Sequence, residues 1–128
     1  MATDPTPLGI MLISGTHERA HYAFIVATAA AAMDRRVLLF ATNEGCRALL
    51  DDWSGLADSG RDAAVRARGV AGLGELRDAA TALGVRHLAC EAGLRLAAID
   101  PAELAAGVEV IGVTTFLEAV AGGQVITL

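Results

Sequence analysis

The chain has 128 residues, 54% of them apolar and 20% charged, enough material for one hydrophobic core and too little length for two. Its formal net charge is −5 and no basic stripe runs along it, which excludes the electrostatic footprint of a nucleic-acid binder. Two cysteines are too few for a disulfide scaffold, and no apolar run approaches the ~20 residues that cross a bilayer.

Residues 1–7 are polar and proline-rich, with no apolar stretch after a basic start, so they read as a disordered leader and not as a secretory signal. One domain then occupies residues 8–128. A cytoplasmic location, with both thiols reduced and no membrane contact, is the simplest expectation.

Leu8 to Ile13 (LGIMLI) is an apolar run of strand length, and Ser14, Gly15 and Thr16 follow as turn and cap residues. Helix-forming residues extend from His17 to about Asp34; strand, tight turn and helix in that order open a βαβ unit. Val37 to Ala41 is a second buried strand, broken by Thr42 and Asn43, and Glu44 to Asp51 reads as a short helix. Trp53 to Gly69 reads as a loop with one helical turn, its Arg61, Arg66 and Arg68 solvated. Leu73 to Leu83 returns to helical spacing, with Leu73, Leu76, Ala80 and Leu83 on one face and Gly84 where a C-cap belongs.

Val85 to Ala89 is the third strand and Glu91 to Ile99 a helix; Asp100 before Pro101 caps one further turn. Val108 to Ile111 and Gln124 to Thr127 are the last two strands, joined by a helix from about Thr115 to Val120. Strands that read as unbroken apolar runs and alternate with helices predict a parallel sheet covered on its faces. The first helix has no polar side from Ala20 to Met33, so a second copy of the chain is expected to cover part of it.

In open parallel sheets, ligands bind beyond the carboxyl ends of the strands. That edge collects Ser14, Thr16 and His17 from strand one, Asn43 and Cys46 from strand two, Cys90 from strand three and Thr114 from strand four. Cys90 stands where a helix starts, and the free amides there favour a thiolate; a buried cysteine serving as a small hydrophobe is the competing reading. Cys46 reads as a partly exposed incidental thiol or, with a suitable distance, a partner for Cys90. Four residues between Cys90 and Arg95 are too few for a cysteine-phosphatase loop. His87 falls on the pleat face opposite Cys90 and is expected to be structural. His17 and His21, one turn apart, have a spacing that can hold a metal, but without further ligands they are expected to be solvated, with no metal and no cofactor.

The stretch Leu83 to Ile99 (LGVRHLACEAGLRLAAI) resembles the cysteine segment of the DsrE/DsrF-like sulfur-relay family, and Gly107 to Leu117 (GVEVIGVTTFL) is similar to that family's last strand–helix junction. The opening strand with Ser14-Gly15-Thr16 is similar as well. The resemblance implies a three-layer α/β/α sandwich around a five-stranded parallel sheet, assembled as a homotrimer or homohexamer, with Cys90 as the sulfur-carrying cysteine. Some relatives carry a membrane-inserting segment mid-chain; here Ser54 to Arg68 is polar and short, which implies a soluble form. Cys46 matches no family position. The resulting expectation is a carrier that takes sulfane sulfur from a donor protein as a persulfide on Cys90 and passes it to an acceptor protein. Ser14, Gly15, Thr16, His17, Cys46, Glu91 and Thr114 are the candidate pocket residues. The alternative is a non-catalytic oligomeric module that holds a small anion or a protein tail at the same edge.

Overall fold

A computed structural model describes residues 6–128. The expected leader falls mainly on residues 1–5, which lie outside the described residues. Its last two residues are tied to the body: the Thr6 carbonyl accepts Arg35 Nε–H at 3.1 Å, and the Pro7 carbonyl accepts the Gln124 amide at 3.0 Å.

The apolar runs form five parallel strands, β1 (Leu8–Leu12), β2 (Val37–Ala41), β3 (Arg86–Cys90), β4 (Glu109–Ile111) and β5 (Gln124–Thr127), in the spatial order β4-β3-β2-β1-β5. Between them lie α1 (His17–Ala32), α2 (Arg61–Ala67), α3 (Leu73–Ala82), α4 (Glu91–Leu96) and α5 (Val113–Ala119). Strand alternation divides the core in two. Leu8, Ile10 and Leu12 of β1 and Val37, Leu39 and Ala41 of β2 face Phe24 of α1, Leu73 of α3 and Leu94 of α4. Leu38, Phe40 and Leu88 face the other way, against Phe116 and Val120 of the α5 segment, and the Phe40 and Phe116 rings stack at 4.7 Å. Helices therefore cover both faces, and the architecture is a three-layer α/β/α sandwich.

The segment between β2 and α3 departs from the sequence expectation. The short helix expected at Glu44 to Asp51 is a 3-10 helix, and it spans Asn43–Leu49. Beyond a 3-10 turn at Trp53–Gly55, the expected loop contains the two-turn helix α2. Apolar spacing could not reveal α2, because its buried residue is the charged Asp62. Leu83 is 46% exposed, because α3 stops at Ala82 and Gly84, at φ +85°, turns the chain away. Asp100 caps its turn as expected, its Oδ1 accepting the Ala102 amide at 2.9 Å.

His87 lies on the α1 side of β3, edge-on to Phe24, with its Nε2 buried and without a partner among the described residues. Burial first, and the Arg77 charge second, push its pKa from 6.5 down to about 4. The unfolded chain therefore binds the proton more readily between those two values. Stability is complete above pH 6.5 and falls as the pH drops toward 4, by about 3 kcal/mol at most. Urea titrations at neutral and mildly acid pH will show that loss in the wild type and a much flatter profile for His87→Leu; an unchanged slope in the variant would contradict the assignment.

Candidate functional site

β3 ends on Cys90 and α4 begins at the next residue, so Cys90 is the helix N-cap, its Sγ accepting the Gly93 amide at 3.4 Å. It is 6% exposed and belongs to the Phe40–Phe116 side of the core. A cleft of about 630 Å³ opens above it, lined by Cys90, Glu91, Ala92, Arg95, Leu96, Gly112 and Val113.

The position of this cleft follows from the topology. The segment leaving β3 sends α4 to the α1 side of the sheet, where Leu94 is buried, whereas the one leaving β4 sends α5 to the opposite side. Chain segments that part to opposite faces leave a crevice between the carboxyl ends of the two strands. Cys90 forms its floor from the β3 side, and Gly112 and Val113 close it from the β4 side.

α4 is held down by a close backbone approach. A Cβ built on Gly93 would stand 2.4 Å from the Asn43 nitrogen and 2.4 Å from Thr42 Oγ1. No side chain larger than hydrogen fits, so the start of α4 lies directly on the turn that leaves β2. That turn carries Cys46, which is fully buried and directs its Sγ–H to the Ala41 carbonyl at 3.5 Å. Burial, against the opposing help of the Cys90 backbone N–H, pushes the Cys46 thiol up to about 11. Cys46 is thus a neighbour beneath the Cys90 turn, not the partly exposed thiol expected from sequence.

Of the other candidates, Glu91 lines the cleft, where its Oε1 accepts Arg95 Nη2–H at 2.9 Å. Thr114 is exposed beside the lining residue Val113, outside the cleft wall. Ser14, Gly15 and Thr16 stand at the end of β1, two strands from Cys90, and do not line the cleft. Ser14 Oγ and Thr16 Oγ1 are 3.1 Å apart, Thr16 caps α1 through the Arg19 amide, and Gly15 packs against Glu44.

His17 and His21 are buried and not solvated. Arg61 Nη1 donates to His17 Nδ1 at 3.2 Å, which places the ring proton on Nε2, and that N–H donates to Asp62 Oδ1 at 2.8 Å. Asp62 also accepts the Leu73 amide at 2.8 Å and Arg66 Nε–H at 3.1 Å. Burial alone would raise the Asp62 carboxyl; the Leu73 amide, His17 and Arg66 outweigh it and hold it below the usual carboxylate range. His21 Nε2 donates to the Ala71 carbonyl at 2.8 Å. Arg61 and Arg66, expected to be solvated, are thus parts of a clasp joining α1, α2 and α3. Every ring nitrogen of His17 is engaged, so the residue is a joint and not a free base. Among the described residues no group of three or more metal-ligating side chains occurs, and no helix is long and apolar enough to cross a membrane.

Sequence reasoning missed Ala92, Arg95, Leu96, Gly112 and Val113 as cleft residues; the i,i+4 spacing of Glu91 and Arg95 was the available signal for one of them. Gly93→Ala will destabilise the protein by about 2 kcal/mol, because the clash falls on backbone. Gly60→Ala, whose Cβ meets nothing within 4 Å at φ −61°, will be neutral or slightly stabilising. Equal urea midpoints for the two variants would contradict the packing described.

The model of the DsrE/DsrF-like family matches residues 8–128. No curated protein matches the chain. Among solved structures, the ychN protein from E. coli is similar at 16% identity and a TM-score of 0.73, over 96% of this chain and 99% of that one. A protein of unknown function, MTH1491 from Methanobacterium thermoautotrophicum, is similar at 20% identity and a TM-score of 0.60, over 95% and 99%. These two likenesses establish the fold, and the family match extends over nearly the whole chain. The chain belongs to the DsrE/DsrF-like family.

Proposed function

We propose that the protein is a sulfur carrier that relays sulfane sulfur as a persulfide on Cys90. The observation that supports this most is the placement of Cys90 at the floor of the crevice between β3 and β4, with the Gly93 amide on its sulfur. α4 has only six residues, so what meets the sulfur is the single Gly93 amide and not the end of a long helix.

The cycle is balanced without any external oxidant. The Cys90 thiolate attacks the terminal sulfur of a donor persulfide; the new Cys90 S–S bond forms as the donor's S–S bond breaks. The donor leaves as a thiolate and takes up the proton that Cys90 released. An acceptor thiolate then attacks the outer sulfur, and Cys90 leaves as thiolate. Glu91, tied to Arg95, borders the path of both partners.

The same reading makes the protein a cytoplasmic homotrimer or homohexamer that meets donor and acceptor proteins at this edge. The outer side of α1 supports assembly: Tyr22 is 57% and Met33 73% exposed, and with Ile25, Val26 and Ile126 of β5 they line an apolar groove.

Two measurements check this reading. After incubation with a persulfide donor, intact-mass spectrometry will show a gain of one sulfur atom in the wild type and in Cys46→Ala, and none in Cys90→Ser. Absence of the gain in the wild type, or its survival in Cys90→Ser, would overturn the carrier. Light scattering will report a trimer, or a hexamer as its multiple; a monomer throughout the micromolar range would remove the assembly from the proposal.

A further inference from the structure

The Cys90 cleft has a neighbour. A second cavity of about 400 Å³ is lined by Glu91, Leu94, Arg95, Ile99, Pro101 and Val110, so Glu91 and Arg95 border both spaces. Among the described residues Arg95 is the one cation and Glu91 the one anion lining either cavity; the remaining walls are apolar residues and Gly112, with Cys90 at the floor of the first. The two charged groups are held to each other at 2.9 Å, with side chains 79% and 60% exposed. An exposed pair one helical turn apart is weak. A carboxylate arriving at the cleft can therefore take the guanidinium from Glu91, and Arg offers it a two-pronged contact.

We propose that Arg95 is a specificity-determining residue: it draws to Cys90 a sulfur donor that carries a carboxylate close to its persulfide, and Glu91 sets the threshold by competing for the same guanidinium. The identity of the donor rests on the sulfur-carrier reading; the charge preference at Cys90 does not. Arg95 takes no part in the covalent step, in which the bond to Cys90 forms and the donor's S–S bond breaks as described above. Its effect is on the approach and orientation of the donor.

Iodoacetate and iodoacetamide separate these claims, since they have similar size and the same leaving group, iodide, and differ in charge. The ratio of their rates at Cys90, read by peptide mapping, cancels any change in the thiolate fraction. At low salt, Arg95→Gln will lower the iodoacetate-to-iodoacetamide ratio about threefold or more, and Arg95→Lys will retain most of it. Glu91→Gln will raise the ratio, and high salt will flatten all the differences. A ratio unchanged by Arg95→Gln would overturn the proposal.

In a second arm, N-acetylcysteine persulfide will load Cys90 faster than the persulfide of N-acetylcysteine amide, and Arg95→Gln will remove the difference. A cysteine-persulfide peptide flanked by aspartate, run beside them, distinguishes a protein segment from a free thiol as the faster source of the same carboxylate. If no donor loads Cys90 while the alkylation ratio still depends on Arg95, the carrier reading falls and the anion preference stands. If the donors load Cys90 equally well with and without Arg95, the preference falls and the carrier stands.

Discussion

The contact between Gly93 and the Thr42–Asn43 backbone is the constraint on which the carboxyl edge depends. At 2.4 Å from a hypothetical Cβ, the two backbones meet with nothing between them. That contact keeps the start of α4 on the α1 side of the sheet and fixes the Gly93 amide where it can reach the Cys90 sulfur. It also presses the turn bearing Cys46 beneath the same point. The Cys90 sulfur, its amide donor and the buried thiol below are thus placed by backbone packing and not by the side chains around the cleft.

The second determinant is topological. β1, β2 and β3 all hand the chain to helices on one face, and only the connection from β4 crosses to the other, through α5. A sheet of order β4-β3-β2-β1-β5 therefore has its crevice between β3 and β4. This explains why residues at the end of β1, although chemically suited to bind an anion, stand apart from the cysteine. Their surroundings are used differently: His17, Asp62, Arg61 and Arg66 form the clasp that holds α2 and α3 to α1.

Much of this architecture was legible in the sequence, because parallel strands buried on both faces must be apolar runs. Val37 to Ala41 and Gln124 to Thr127 were read with their observed limits, and Cys90 stands at the strand–helix junction where the sequence placed it. What was not legible has a common cause. α2 and the two buried histidines of α1 are held by charge and hydrogen bonds between residues far apart in sequence, His17 to Asp62 and His21 to Ala71, which leave no apolar period to read. The order of the strands was equally hidden, so the residues at the carboxyl edge could not be sorted into those that line the cleft, Cys90 and Glu91, and those that stand apart from it.

Cys46 is fully buried in apolar surroundings that push its pKa up to about 11, and it therefore stays neutral and closed to reagents. Cys90, on the Phe40–Phe116 side of the sheet, borders the cleft. Brief treatment of the native protein with substoichiometric iodoacetamide near neutral pH, followed by peptide mapping, tests this division most directly. The account predicts label on Cys90 with Cys46 silent until the protein is denatured; label mainly on Cys46, with Cys90 silent in the native state, would contradict it.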